Sequence, residues 1–373
     1  MNKKKTTART VVAVVVVLVI VLIVALIAMR TTQSVNDSPP PLTSEKQSQL
    51  NALDDVAKAA LPPDVDAYNP VVRDTNLRDT GRQGVGLFIQ HAFFRIAGDM
   101  GFDVDRLSAL LIPTDDSQPV ILDDPSSFVF KPLHGSVVMP PSALTALFNQ
   151  YLTDYPGTQL RALKVSATDD GQMHVTGDTQ KVPGLWLPFE MIGPVKLVAG
   201  HLFVYQPEKV KIAGLPTKGL LDAINLQLSK LVQIDTEGAQ LQGDNIVLDL
   251  NHALPPPAQV VHVKTMRIDQ MGLHLDFTSP FDPDWPTPIL DTDSYVMLNG
   301  GDIKTFRTLV TNARMQLVAE NGGKLDTSLY SYREQIVGGH FGSTTSGELV
   351  AYLAPLKTAD YLPPAQPEKD DAK

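Results

Sequence analysis

The sequence predicts an α+β protein: an N-terminal transmembrane helix, then an antiparallel β-sheet ectodomain with tandem helix-plus-four-strand units. Three observations predict it. Residues 11–29 form one apolar run with no charge, Gly or Pro. Two segments, opened by Pro141 and Pro216, carry apolar residues at helical spacing. After each, apolar and polar residues alternate between Asp- and Gly-rich turns, the pattern of half-buried strands.

The run Val11–Met29 comes first. At the rise of an α-helix it spans roughly 29 Å, about the hydrocarbon thickness of a bilayer. Lys3, Lys4, Lys5 and Arg9 precede it, and only Arg30 follows closely. The positive-inside rule therefore leaves residues 1–10 as a cytoplasmic tail. It places the rest outside, as the periplasmic or extracellular domain of a single-pass protein of the cell inner membrane. A cleaved signal peptide is the rival reading. Its apolar core is shorter and ends in an A-x-A-like site; here the run ends Leu26-Ile27-Ala28. The sequence favours the uncleaved anchor.

Composition narrows the function classes. The 373 residues contain no Cys. A disulfide scaffold, a thiolate metal site and a cysteine nucleophile are excluded. The formal net charge is −10, and all 41 acidic residues lie beyond residue 30. Such a surface repels polyanions, so nucleic acid is excluded as a partner.

Residues 31–43, with Pro39-Pro40-Pro41, read as a semi-rigid linker. Residues 44–127 read as a mainly helical segment. Its helices are expected over 44–61, around Leu87, His91 and Phe94, and over Asp105 to Leu111.

Residues 128–280 read as the tandem domain. Pro141 opens a helix bearing Leu144, Leu147, Phe148, Tyr151 and Leu152 on one stripe, and Pro156-Gly157 ends it. Leu163, Val165 and Ala167 alternate into an Asp169-Asp170-Gly171 turn, with Met173 and Val175 on the return strand. A second hairpin turns at Ala199-Gly200. The order then repeats. Pro216 opens a helix with Leu220, Leu221, Ile224, Leu228 and Leu231 on one side, followed by strands carrying Ile246, Leu248 and Leu250, then Val261 to Met266, then Leu273 to Phe277. A single α+β domain without duplication is the alternative. Residues 281–293, rich in Pro, read as a linker or loop, 294–357 as a β-rich C-terminal segment, and 358–373 as a disordered tail.

No catalytic motif is present. Thr344-Thr345-Ser346-Gly347 lacks the first Gly of a nucleophile elbow, and Gly84-Val85-Gly86 is a fragment of a dinucleotide fingerprint with no strand predicted before it. A hairpin pairing Asp269 with Gly272 puts His262 and His274 on opposite faces, unable to share a metal. Asp282, Asp284, Asp291 and Asp293 lack calcium-loop spacing. No enzyme, cofactor or metal is expected. A motif-free enzyme ranks third among the readings, because catalytic groups assemble in space.

Two strands are apolar on both faces: Leu185-Trp186-Leu187-Pro188-Phe189 and Leu202-Phe203-Val204-Tyr205. A sheet with one wet face alternates. Either both faces are covered or one lines a cavity, and both readings stand. An anchor followed by helices at 141–154 and 216–231 and strands carrying Leu163–Ala167, Leu202–Tyr205, Ile246–Leu250 and Val261–Met266 resembles the bacterial membrane-anchored tubular lipid-binding (TULIP-like) envelope proteins, over about residues 128–278. The short first hairpins and the C-terminal segment depart from that pattern. The resemblance implies a membrane-tethered, non-catalytic protein that binds or shuttles a lipid-like apolar ligand. The expected lining is Leu144, Leu147, Phe148, Phe189, Leu202, Val204, Leu221, Ile224, Leu228, Ile246, Leu248 and Val261. The runner-up is an envelope assembly or scaffold protein that binds another protein.

Overall fold

The computed structural model describes residues 71–72, 83–153, 158–182, 185–212, 215–216, 235–236 and 238–356. All belong to the second of the chain's two compact units, Gln49–Lys373. The expected tail 1–10, span 11–29, linker 31–43, helix 44–61 and C-terminal tail 358–373 lie outside the described residues. So does the second expected helix beyond Pro216, with Leu221, Ile224 and Leu228.

Three long antiparallel strands position everything else: β1 (Gln83–Ala97), β2 (Met100–Pro113) and β3 (Phe128–Met139). The α1 helix (Pro141–Leu152) follows. Next come β4 (Leu160–Ala167), β5 (Met173–Val182), β6 (Leu185–Gly193), β7 (Val195–Val198), β8 (Leu202–Tyr205) and β9 (Lys209–Ile212). After them come β10 (Ala239–Gln242), β11 (Asn245–Asp249), β12 (Ala258–Gln259), β13 (Val263–Asp269) and β14 (Gly272–Phe277). The chain finishes with β15 (Tyr295–Asn299), β16 (Arg314–Ala319), β17 (Asp326–Ser328), α2 (Tyr332–Gly338), β18 (His340–Ser343) and β19 (Leu349–Leu353).

The fold is therefore mostly β, not α+β. Among the described residues there are two α-helices, and no helix is long and apolar enough to cross a membrane. The helices expected around Leu87–Phe94 and over Asp105–Leu111 are the strands β1 and β2. The reason is burial on both faces. Leu87 and Ile89 pack into the main core while Phe88 packs on the other side. Period alone cannot separate a two-faced strand from a buried helix.

A second cause is a crease. On β1 the core-facing side chains run Val85, Leu87, Ile89, then Ala92 and Phe94, so the face changes at His91. On β2 they run Phe102 and Val104, then Leu107, Ala109 and Leu111, so the face changes at Asp105. On β3 the register with β2 shifts between Pro132 and His134. His91 has φ +44°, a left-handed value rare for a residue with a Cβ. Bulges bend a strand and strengthen its twist. The register of β2 against β3 shifts at Asp105 and again opposite Leu133, and these two irregularities bend the long strands around one concave face.

Among the described residues the main sheet has twelve strands, with the path β13-β14-β3-β2-β1-β15-β16-β19-β18. The expected C-terminal segment is part of it: β15 pairs antiparallel with β1, and β17 pairs parallel with β1. Three smaller sheets accompany it: β9-β6-β5-β4 extended by Leu215–Pro216, β10-β11-β8-β7 extended by Asp235–Thr236, and the short strands Val120–Ile121, Ile303–Thr305 and Thr308–Val310. Residues from the first two of these share the main core, Val165 and Val175 with Phe203 and Ile246. The tandem units are not reproduced. After α1 the strands build a sheet of their own, whereas β13 and β14 join the main sheet. Pro216, expected to open a helix, ends a short strand paired with Lys211. Strand pairing is non-local, and matched local patterns do not fix it.

Residues 281–293 form a loop packed on the sheet. Trp285 stacks edge-on against Phe88 at 5.1 Å between centroids, and its Nε1–H donates to the Tyr295 hydroxyl at 2.9 Å. The fully buried Gln316 side chain accepts from the Leu290 N–H at 2.7 Å and donates to its carbonyl at 3.1 Å. This loop covers the convex face of the sheet, which explains why Phe88, Met297 and Val318 are apolar on that side.

Candidate functional site

The concave face lines two apolar cavities. The first has a volume of about 60 Å³. Its walls are Phe94 and Ile96 from β1, Phe102, Val104 and Leu107 from β2, and Leu273, Leu275 and Phe277 from β14. Phe130 and Val137 from β3 complete that side. The second cavity is also about 60 Å³, walled by Leu87, Leu111, Phe128, Val296, Leu298 and Tyr332 among others. Phe94, Ile96 and Phe130 belong to both walls, so the two cavities adjoin across those three side chains.

Two polar side chains of α1 set it as the roof of the first cavity. Asn149 donates to the Leu163 carbonyl at 2.9 Å and accepts from the Leu163 N–H at 3.1 Å. Thr145 Oγ1 accepts from the Val165 N–H at 2.9 Å. These bonds cover the open edge of β4 and fix the helix rotation. Leu144, Leu147 and Phe148 then face the cavity.

A strap over residues 250–261 closes the other side. Leu250, Ala253, Leu254 and Val261 face the first cavity, and Pro257 faces the second. Three of the bonds that hold the strap lie beside the cavities. Asn251 Oδ1 accepts from the Val261 N–H at 2.8 Å, the Val260 N–H donates to the Phe130 carbonyl at 3.0 Å, and the Tyr330 hydroxyl donates to the Pro256 carbonyl at 2.6 Å. Burial pushes the Tyr330 hydroxyl up to about 12, so it keeps that proton at neutral pH.

The lining of the first cavity carries no charge. Among the described residues Gln259 is its one polar side chain. Gln259 is 7% exposed, and its Nε2 finds no hydrogen-bond partner among the described residues. Tyr332 contributes its ring to the second cavity, while its hydroxyl is bonded to Asp123 and Thr305. Burial and the neighbouring Asp123 push that hydroxyl well above its ordinary range.

The chain matches no protein-family model, no curated protein and no solved structure.

Of the expected lining, Leu144, Leu147, Phe148, Leu248 and Val261 do meet at the first cavity. Phe189 and Ile246 do not; they pack into the main core without reaching either cavity. Leu202 and Val204 do not either. They point to the opposite face of β8, in a separate cluster with Val247. On that strand the cavity residue is Phe203, which lies opposite Leu248 of β11. All four residues of β8 are buried, so the sequence offered no signal for choosing the face. The wall residues of β1 and β2 were missed because those strands read as helices. The alternation Leu273, Leu275, Phe277 was the available signal for β14.

The two histidines beside the β13–β14 turn are apart. Asp269 pairs with Gly272, and His274 is held by Asp269 at 2.8 Å and by Arg267 at 2.9 Å. His262 lies against Gly200 in the turn between β7 and β8.

Proposed function

We propose that this protein is a membrane-tethered, extracytoplasmic binder or carrier of a lipid-like apolar ligand, with no catalytic role. The observation that carries the reading is the pair of adjoining apolar cavities under the creased sheet, roofed by α1 and strapped by residues 250–261. Apolar walls favour an apolar occupant at about 0.8 kcal/mol per buried CH₂. Each cavity is smaller than the roughly 150 Å³ that holds a benzene in an engineered core. A chain-like ligand therefore needs Phe94 and Phe130 to swing aside, which joins the two. The tether rests on the apolar run Val11–Met29 and its flanking Lys and Arg, read from sequence.

The test is lipid analysis of the full chain, purified in parallel with Leu248→Trp. The unmodified chain is expected to retain an apolar ligand that the Trp variant lacks. Equal lipid content in both ends the carrier reading and promotes the scaffold one.

A further inference from the structure

We infer that Gln259 is the polar anchor of the first cavity and that the ligand presents to it a neutral carbonyl oxygen, as in an acyl ester. The inference rests on the apolar-ligand reading above and adds the chemistry of its head. Gln259 is more than nine-tenths buried, it lines the cavity, and its Nε2 has no partner among the described residues. A buried donor left unmade is costly, and native proteins keep few of them.

An ordered water needs two to four polar partners, and among the described residues every other side chain in this lining is apolar. The donor calls for an acceptor carried in by an otherwise apolar molecule. An ionised carboxylate does not fit, because the lining holds no cation and an unpaired buried charge is far more costly than a buried dipole. A neutral ester or amide carbonyl does fit.

The position of Gln259 supports the same class. It pairs in parallel register with Phe130, one of the three side chains that divide the two cavities. A carbonyl held there leaves one apolar arm beside α1 and β14. Past Phe130, the other arm reaches the cavity lined by Leu87 and Val296.

The experiment uses the full chain in nanodiscs and three diazirine probes of equal length: a fatty acid methyl ester, the free fatty acid and the plain hydrocarbon. Crosslinked peptides are mapped in the unmodified chain, in Gln259→Met and in Gln259→Leu. Using the same nanodiscs throughout cancels partitioning into the bilayer. In the unmodified chain the ester is expected to label cavity residues about tenfold more than the free acid. In both variants ester labelling is expected to fall about tenfold, to the level of the hydrocarbon, whose own labelling stays unchanged. Ester labelling unchanged in both variants, with hydrocarbon labelling intact, overturns the anchor and leaves the apolar-ligand reading standing. No cavity labelling by any probe in the unmodified chain overturns both. Free acid labelling that exceeds the ester overturns the neutral-carbonyl assignment.

Discussion

His91 and Asp105 face each other at the point where β1 and β2 both change faces, with Nε2 and Oδ1 3.0 Å apart. Gln90–Arg106 and Ala92–Val104 are paired on either side of them, and the two residues themselves turn out to solvent. The imidazole Nδ1 also lies 3.1 Å from the Asp293 carbonyl, at the end of the loop that covers the convex face. The contact is exposed, and such pairs contribute little to stability by themselves. Its importance is geometric, because the crease turns Ala92 and Phe94 to the same side as Leu87 and Ile89.

Backbone conformation, more than the ion contact, should decide the tolerance of position 91. At φ +44° a β-branched side chain is strained and glycine is not. His91→Ile should lower stability by about 1–3 kcal/mol. His91→Gly should stay within about 1 kcal/mol of the parent. Urea unfolding midpoints of the two variants check this. Equal midpoints would show that the crease is not held by this residue.

Tryptophan at position 204 and tryptophan at position 248 should behave differently. Leu248 borders the first cavity, so Leu248→Trp fills existing space, with a stability change under about 1 kcal/mol, and blocks the ligand. Val204 is fully buried in the small cluster with Leu202 and Val247. Val204→Trp overfills it and should cost about 1–3 kcal/mol while leaving ligand capture intact. Melting temperature and ligand capture are the two readouts. Equal destabilisation by both changes would show that the first cavity is packed.

Removing the orphan donor of Gln259 should stabilise the ligand-free chain. Gln259→Leu relieves an unmade buried hydrogen bond, a gain of about 1–3 kcal/mol. Denaturation of delipidated protein measures it. A loss of stability would mean that the amide is already satisfied.

Asp269 sets an acid limit. Its carboxylate accepts from the His274 side chain, the Met271 N–H and Arg267, with the His274 bond the strongest influence, and these hold it down to about 2. A folded value below the unfolded one of about 3.9 stabilises the native state above that unfolded value. The contribution fades as pH falls from about 4 to about 2. Asp269→Asn should be less stable than the parent at pH 7, and the gap should close toward pH 2. Unfolding midpoints between pH 7 and pH 2 follow the two curves; a gap that is constant across this range would exclude the carboxylate as its source.

Local patterns were legible where one face was polar. The α1 helix follows from Pro141 and its stripe, and the turns at Asp170-Gly171, Ala199-Gly200 and Gln270-Met271 follow from residues that tolerate tight backbone geometry. The helical part of the candidate site was legible for the same reason: Leu144, Leu147 and Phe148 lie on a clear stripe. Phe94 and Phe102 were not, because their strands are covered on both sides and lose the alternation that marks a strand. Gln259 was invisible, since a single Gln after Pro255-Pro256-Pro257 has no pattern at all.

The sequence by itself determined the features that depend on spacing and charge alone. It excluded cysteine chemistry, placed an apolar run near the N-terminus, and set α1 with its turns, because helix and turn preferences act within a few residues. Only the tertiary structure decided which strands pair, which face of β8 meets Leu248, and that residues 281–293 cover a sheet. It alone brought Phe94, Phe130 and Gln259 together. Those outcomes depend on hydrogen bonds and packing between residues far apart in the chain, and a one-residue change of register turns every side chain to the other face.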